Sequence, residues 1–408
     1  MTSFNLLTIS SMYSGNLETF YKNFTGTGNM DYMQHNSLML NETTEFAGVY
    51  NRKFRQLGVN SNCIIANDKM LQNKWKLSKE TDIPQNHQIL FDQIRYYQPD
   101  VLWFDNITYA NSEFVSKIRR EVPGIKLIVG YHCSPYSFKM MDLFRNFDFM
   151  ITCTPGLVND LKINGLNTFL VYHGFDTQIL EKIRKENSGR VKNLVFSGSL
   201  TTGAGFHDNR ISFIESMLNA DIDIDLYVNL ENQFKVRAKQ SLFFLSKLLR
   251  KREIVKFTKY FPILEYAKSP VMYYSKHLLK KSHPPVYGMD MYNLFNISRL
   301  VLNFHVGVAG NYAGNMRLFE VTGIGCCLVT DNKKNLGDLF DIGSEVVAFD
   351  NVEDCIEKVH WLIEHDTERE KIAAAGQQKT LKHHSVENRC NLILEIIEKE
   401  MKNKWIKS

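Results

Sequence analysis

The sequence has no Cys-x-x-Cys pair, and its seven cysteines are odd in number, so neither a zinc ribbon nor a disulfide framework is indicated and a reducing cytoplasm fits best. Proline is scarce, 9 residues in 408, and no low-complexity tract is evident, which sets aside disordered and collagen-like chains. No run is apolar enough to span a bilayer: the longest uncharged internal stretch, 300–316, holds Asn303, His305, Asn311, Asn315 and three glycines. Lys and Arg are missing before Lys22, so the charged region of a secretory leader is lacking and mature protein is expected. An excess of one charge is missing too. The 49 Lys and Arg against 44 Asp and Glu leave +5, too mild for the whole molecule to act as a polyanion binder, and no nucleic-acid partner is expected.

What is present is a large core. With 44% apolar and 23% charged residues, a chain of this length should hold two or three domains. Short runs rich in Ile, Val, Leu and Phe alternate with amphipathic stretches, the pattern of βα units on a parallel sheet. Strands are expected at 4–10, 61–66, 100–104, 125–130, 147–152 and 168–172, then at 193–197, 222–228, 299–304, 326–330 and 345–349. The break falls at the polar segment Glu186-Asn187-Ser188-Gly189. We therefore expect a Rossmann-like domain over 1–188, a second over 189–385, and a polar C-terminal helix over 386–408. Two doubly wound sheets would face each other across a cleft, with the active site at their carboxyl ends.

The strongest local signal is Gly310-Asn311-Tyr312-Ala313-Gly314-Asn315-Met316-Arg317-Leu318-Phe319-Glu320, a glycine-bearing loop entering a helix. Helix starts attract anions, and residues three apart share a face, so a nucleotide diphosphate would fit with Asn315 and Arg317 toward phosphate and Glu320 toward ribose hydroxyls. A surface loop with an ion pair has the same spacing.

The stretch from Val286 to Arg389, with VYGMDMYNLFNISRLVLNFHV, NMRLFEVTGIGCCLVTDN, GSEVVAFDN and HHSVENR, resembles the C-terminal domain of CgeB-type, family-1-like glycosyltransferases of GT-B fold. That resemblance implies transfer of a sugar from a nucleotide donor, without metal and with retention of anomeric configuration. It places Tyr287 on the donor side. Wider relatives carry two Glu separated by seven residues, the second on ribose; Glu320 matches the second, and Tyr312 stands at the first. It also makes Phe196 to Gly205, ending in His207-Asp208-Asn209-Arg210, resemble the donor-diphosphate loop, which nominates Gly198, Ser199 and Arg210.

In the first domain Gly15, Asp105 and His132 follow strands and are expected on the acceptor side of the cleft, His132 near the reacting groups together with Arg317 and Glu320. Asp221-Ile222-Asp223-Ile224-Asp225 imitates a D-x-D metal clamp, but strict alternation reads as a strand with its carboxylates outward. His383-His384 reads as a helix end. No metal or resident cofactor is expected. Residues 233–285 hold thirteen Lys or Arg and two Glu, +11, interleaved with Phe, Leu and Tyr, so this basic insertion is open to three readings: a solvated helical insertion, an anionic membrane-surface patch or a site for a polyanionic acceptor.

The expectation is a two-domain GT-B glycosyltransferase, cytoplasmic or peripheral on the inner membrane face, passing a sugar from a nucleotide donor to a glycan or lipid-linked acceptor in polysaccharide or cell-envelope biosynthesis. A GT-B epimerase or phosphorylase, or a non-catalytic nucleotide-sugar or polyanion-binding protein, are the alternatives.

Overall fold

The computed structural model describes residues 4–78, 86–183, 189–200, 208–248, 273–305 and 310–407. The first sheet takes β1 (Asn5–Ser10), β2 (Asn60–Ile65), β3 (Val101–Phe104), β4 (Leu127–Tyr131), β5 (Phe149–Thr152) and β6 (Thr168–Leu170) in the order β2-β1-β3-β4-β5-β6. The second takes β7 (Lys192–Ser199), β8 (Ile224–Asn229), β9 (Ser282–His283), β10 (Ser298–Asn303), β11 (Cys327–Asp331) and β12 (Val347–Phe349) in the order β12-β11-β10-β7-β8-β9. Neighbouring strands run parallel, with Thr8 level with Trp103 in one sheet and Val301 with Val195 in the other.

Helices cover both faces of a parallel sheet, so its strands read as unbroken apolar runs. Every residue of β3 and of β11 is buried. The short β9 was not foreseen, because two residues carry no periodicity.

In the first sheet the chain passes from β2 back over β1 to β3, and in the second from β9 back over β7 to β10. The connections after β1 and β3, and after β7 and β10, therefore leave in opposite directions and open a crevice in each sheet.

The last helix, Val386–Lys407, corrects the expectation of a polar segment. It returns to the first domain and buries Val386, Cys390, Ile393, Leu394 and Ile397 against Leu6, Val101, Trp103 and Val129. Crossing and return are tied together: Phe175 donates its amide to His384 O at 2.9 Å, and Val386 donates to Phe175 O at 2.9 Å. The Arg389 guanidinium bonds His173 O at 2.9 Å and His384 Nδ1 at 2.7 Å. His383 and His384 are indeed a helix end, with His384 buried against Leu339 O.

Ile393 is 1% exposed and Ile406 84% exposed on this same helix. Ile393→Ala should destabilise by about 2 to 5 kcal/mol, the range for emptying a buried aliphatic site, and Ile406→Ala by less than about 0.5 kcal/mol. Urea midpoints at constant slope will measure the contrast.

Candidate active site

The two crevices face one another across a cleft of about 720 Å³. Eight of the residues expected to form the site line it: Gly15 from the first domain, and Gly198, Ser199, Arg210, Tyr287, Asn315, Arg317 and Glu320 from the second.

The helix Arg317–Gly323 sets Arg317 and Glu320 on one face, and Arg317 Nη1 meets Glu320 Oε2 at 2.7 Å. Glu320 is buried, and Arg317 also reaches Ser197 O at 3.2 Å and lies 4.7 Å from the centroid of the Phe295 ring. The helix is only seven residues long, so its dipole is a small source of positive potential, contrary to the weight placed on its start. The Asn315 side chain is engaged as well, donating to Asn303 Oδ1 at 2.7 Å.

Positive charge comes instead from side chains. Arg210 opens the helix Asp208–Asn219 and donates Nε to Phe304 O at 2.9 Å, which holds it between the ends of β7 and β10. Burial lowers its pKa; Asp331 opposes that shift, and the like charge of Arg317 adds to it. Two guanidiniums thus converge at the switch point of the second sheet. Gly198 and Ser199 belong to β7 itself, paired with Val228 and Asn229, and not to a loop after it; Thr201 to His207 lie outside the described residues.

Gly15 and Tyr287, nominated for opposite domains, touch each other, and a Cβ at Gly15 would overlap the Tyr287 ring. A second contact of this kind joins Gly156 to Tyr312, whose Cε2 would lie 2.8 Å from an added Cβ. Tyr312, at the place of the missing first Glu, is therefore a bridge between domains and is not among the cleft-lining residues.

His132 does not face the cleft. Side chains alternate along a strand, so Tyr131 and Cys133 point inward while His132 packs 5.4 Å from the Phe144 ring, with Nε2 3.3 Å from Ser134 Oγ. Asp105 is not among the lining residues either. It sits half-buried at the end of β3, accepts a bond from Ser10 Oγ, and is pushed up to about 7 by burial.

Glu45, His173, Cys133 and Cys153, none of them nominated from the sequence, also line the cleft. Glu45 accepts from the Tyr13 amide at 3.0 Å and from Asn16 Nδ2, and burial pushes its carboxyl to about 7. One ligand atom from each of Cys133, Cys153 and His173 lies within 4.8 Å of the other two, the one such group among the described residues. The Cys153 thiol is held well below its usual range, first by a bond from Cys133 and then, against burial, by His173. Ile222 and Ile224 are buried, as the alternation predicts, while Asp223 pairs with Lys281 at 2.7 Å and Asp225 with Lys192 at 2.8 Å.

Two parallel six-stranded sheets opposed across a cleft with a cationic side are the architecture of the GT-B glycosyltransferases. Solved structures share it. A glycosyltransferase of Rickettsia africae ESF-5 is 10% identical with a TM-score of 0.58, covering 99% of this chain and 100% of its own. Anabaena HepE in complex with UDP-glucose is 11% identical with a TM-score of 0.57, over 97% and 100%. The N-terminal domain of Candida albicans trehalose-6-phosphate phosphatase is 11% identical with a TM-score of 0.53, over 98% and 97%. No curated protein matches the chain in sequence. Residues 239–395 match the glycosyl transferase-like family model. The match takes in most of the basic stretch, which is thus part of the family region.

Glu45 and Asp105 both have raised pKa values, with Asp105 adding to the rise at Glu45. The folded state then keeps protons that the unfolded chain has released, so the stability these groups contribute is full at low pH and lost as pH rises through about 7. Glu45→Gln should flatten that loss between about pH 5 and pH 8 by roughly 2 to 3 kcal/mol. Denaturant titrations across that range decide it, and an unchanged slope would place Glu45 in water.

Proposed function

We propose that this glycosyltransferase moves a sugar from a uridine diphosphate donor to a glycan or lipid-linked acceptor, with retention at the anomeric carbon and without a metal at the diphosphate. The observation that carries the donor reading is the convergence of Arg210 and Arg317 at the switch point of the second sheet, where like charges are held together by packing and backbone carbonyls. An incoming diphosphate relieves that repulsion. As the glycosidic bond breaks, negative charge grows on the departing diphosphate, and fixed guanidiniums stabilise it without reorganisation. The UDP-glucose held by Anabaena HepE supports a uridine donor on the shared fold.

Glu320, braced by Arg317, is assigned to the ribose hydroxyls, Tyr287 and Asn315 to the donor side, and Gly198 and Ser199 to the diphosphate, to which their backbone lies open at the end of β7. Gly15, Asp105 and Glu45 fall to the acceptor side; His132 buttresses that side from behind.

Arg210→Met should weaken UDP binding roughly ten- to a hundredfold, the equivalent of one charge-assisted hydrogen bond, while leaving uridine binding unchanged. Glu320→Gln should weaken both. Calorimetry with each ligand separates the roles, and undiminished UDP affinity in Arg210→Met would sink the diphosphate assignment. UDP affinity should also be indifferent to added manganese or its chelation.

We also propose that the basic segment docks on an anionic membrane surface. No helix among the described residues is long and apolar enough to cross a membrane. The helix Gln233–Leu248 exposes Phe234 (78%) and Phe244 (54%) beside exposed Lys235 and Arg237, the mixture that binds an interface reversibly. Arg250, Lys251 and Arg252 lie outside the described residues. Each basic residue near an anionic leaflet adds about 1 kcal/mol, so changing these three to Glu should abolish cosedimentation with anionic vesicles. Equal binding to neutral vesicles would remove the membrane reading.

A further inference from the structure

Three adjacent strands deliver three soft donors to one point on the first-domain wall of the cleft. Cys133 lies two residues beyond β4, Cys153 follows β5, and His173 lies three beyond β6. Tyr131 pairs with Ile151, and Ile151 with Phe169, so the strand ends stand level and residues of one parity point the same way. All three side chains line the cleft, and one ligand atom from each lies within 4.8 Å of the other two.

We propose that Cys133, Cys153 and His173 bind one zinc ion, leaving its fourth position open to the cleft for a water or an acceptor hydroxyl. The donor set suits the ion. Two thiolates and a neutral imidazole balance a dication, and a site with three protein ligands is the open, substrate-accessible form of tetrahedral zinc. With Zn–S near 2.3 Å and Zn–N near 2.0 Å, donor atoms in such a tetrahedron stand about 3.5 to 3.8 Å apart. The observed 4.8 Å limit closes to that spacing by a contraction of about 1 Å, within reach of side-chain rotation. Binding takes both sulfurs as thiolates and the imidazole as neutral, so it releases whatever protons these three groups hold.

The sulfurs are also supported as ligand thiolates are. The Cys153 amide donates to Cys133 Sγ at 2.8 Å. Thr152 Oγ1 lies 3.8 Å from Cys133 Sγ, and Thr154 Oγ1 lies 3.7 Å from Cys153 Sγ. Outer partners of this kind orient and tune metal ligands. A purely structural cluster would have no need of an open side.

The site is independent of the donor diphosphate, which Arg210 and Arg317 meet from the other domain, so the two readings fail separately. The test uses the full chain, stripped by chelator under reductant and titrated with cobalt(II) as a spectroscopic stand-in. One equivalent should bring up a thiolate-to-cobalt charge-transfer band with the strong visible bands of tetrahedral geometry, and zinc should bleach both. Cys133→Ser and Cys153→Ser should each weaken zinc binding by more than about a hundredfold, beyond what loss of an outer partner causes, as read by competition with a chromophoric chelator. Cys63→Ser, altering a buried cysteine elsewhere, should leave it intact. UDP affinity serves as the folding control. Cobalt uptake without the sulfur band, or equal zinc binding by all three variants, would overturn the proposal.

Discussion

The cleft exists because the chain crosses between the sheets twice and the two crossings are bonded to each other. The first, after β6, carries His173, Phe175 and Asp176; the second, at His384 to Val386, lies alongside it in a short parallel bridge. Arg389 bonds both strands of this bridge, and Arg52 fixes the first by an ion pair to Asp176 at 3.1 Å. Phe175 packs in the second domain's core with Leu318 and Phe319, while Val386 packs in the first domain's core. Each crossing is thus buried in the domain to which it leads, so the carboxyl edges of the two sheets are held face to face by packing on both sides.

That arrangement sorts the chemistry by domain. The second domain supplies guanidiniums at the end of its central strands, and the first supplies carboxyls and thiols at the ends of β3, β4 and β5. Burial raises the carboxyls of Glu45 and Asp105 and opposes the charge on Arg210. Charge on the second wall is concentrated where a diphosphate of a donor would come to rest. On the first wall Glu45 lines the cleft with a carboxyl raised to about 7, and Asp105 stands behind it at the end of β3.

Much of this was legible in the sequence because parallel strands buried on both faces announce themselves as apolar runs. The eleven strands foreseen all have counterparts, and only β9, two residues at a sheet edge, lacked a signal. The second-domain wall was readable for a related reason: Arg317 and Glu320 belong to one helix, so their separation in sequence is their separation in space. The first-domain wall depends on long-range contact. Glu45 is drawn to Tyr13, 32 residues away, and nothing local marks it. His132 was misplaced by ignoring alternation, which a parity count from the end of β4 would have corrected. The same count would have found Cys133, Cys153 and His173, which recur at intervals of twenty beyond three successive strands.

Tyr312 shows how a departure from a motif can be a structural statement. Where the motif that this segment resembles has Glu, this chain places an aromatic ring against Gly156 of the first domain, while Tyr287 rests on Gly15. Both contacts need a glycine, because each brings a ring from one domain onto the backbone of the other. An acidic side chain at 312 would forgo the packing of the ring on Gly156. With that position given to packing, the carboxylates lining the cleft are Glu45 and Glu320, one from each domain. The acidic lining of the cleft is therefore complete only when both domains are in place. The aromatic contacts that hold the domains together are in this sense also what completes the polar lining.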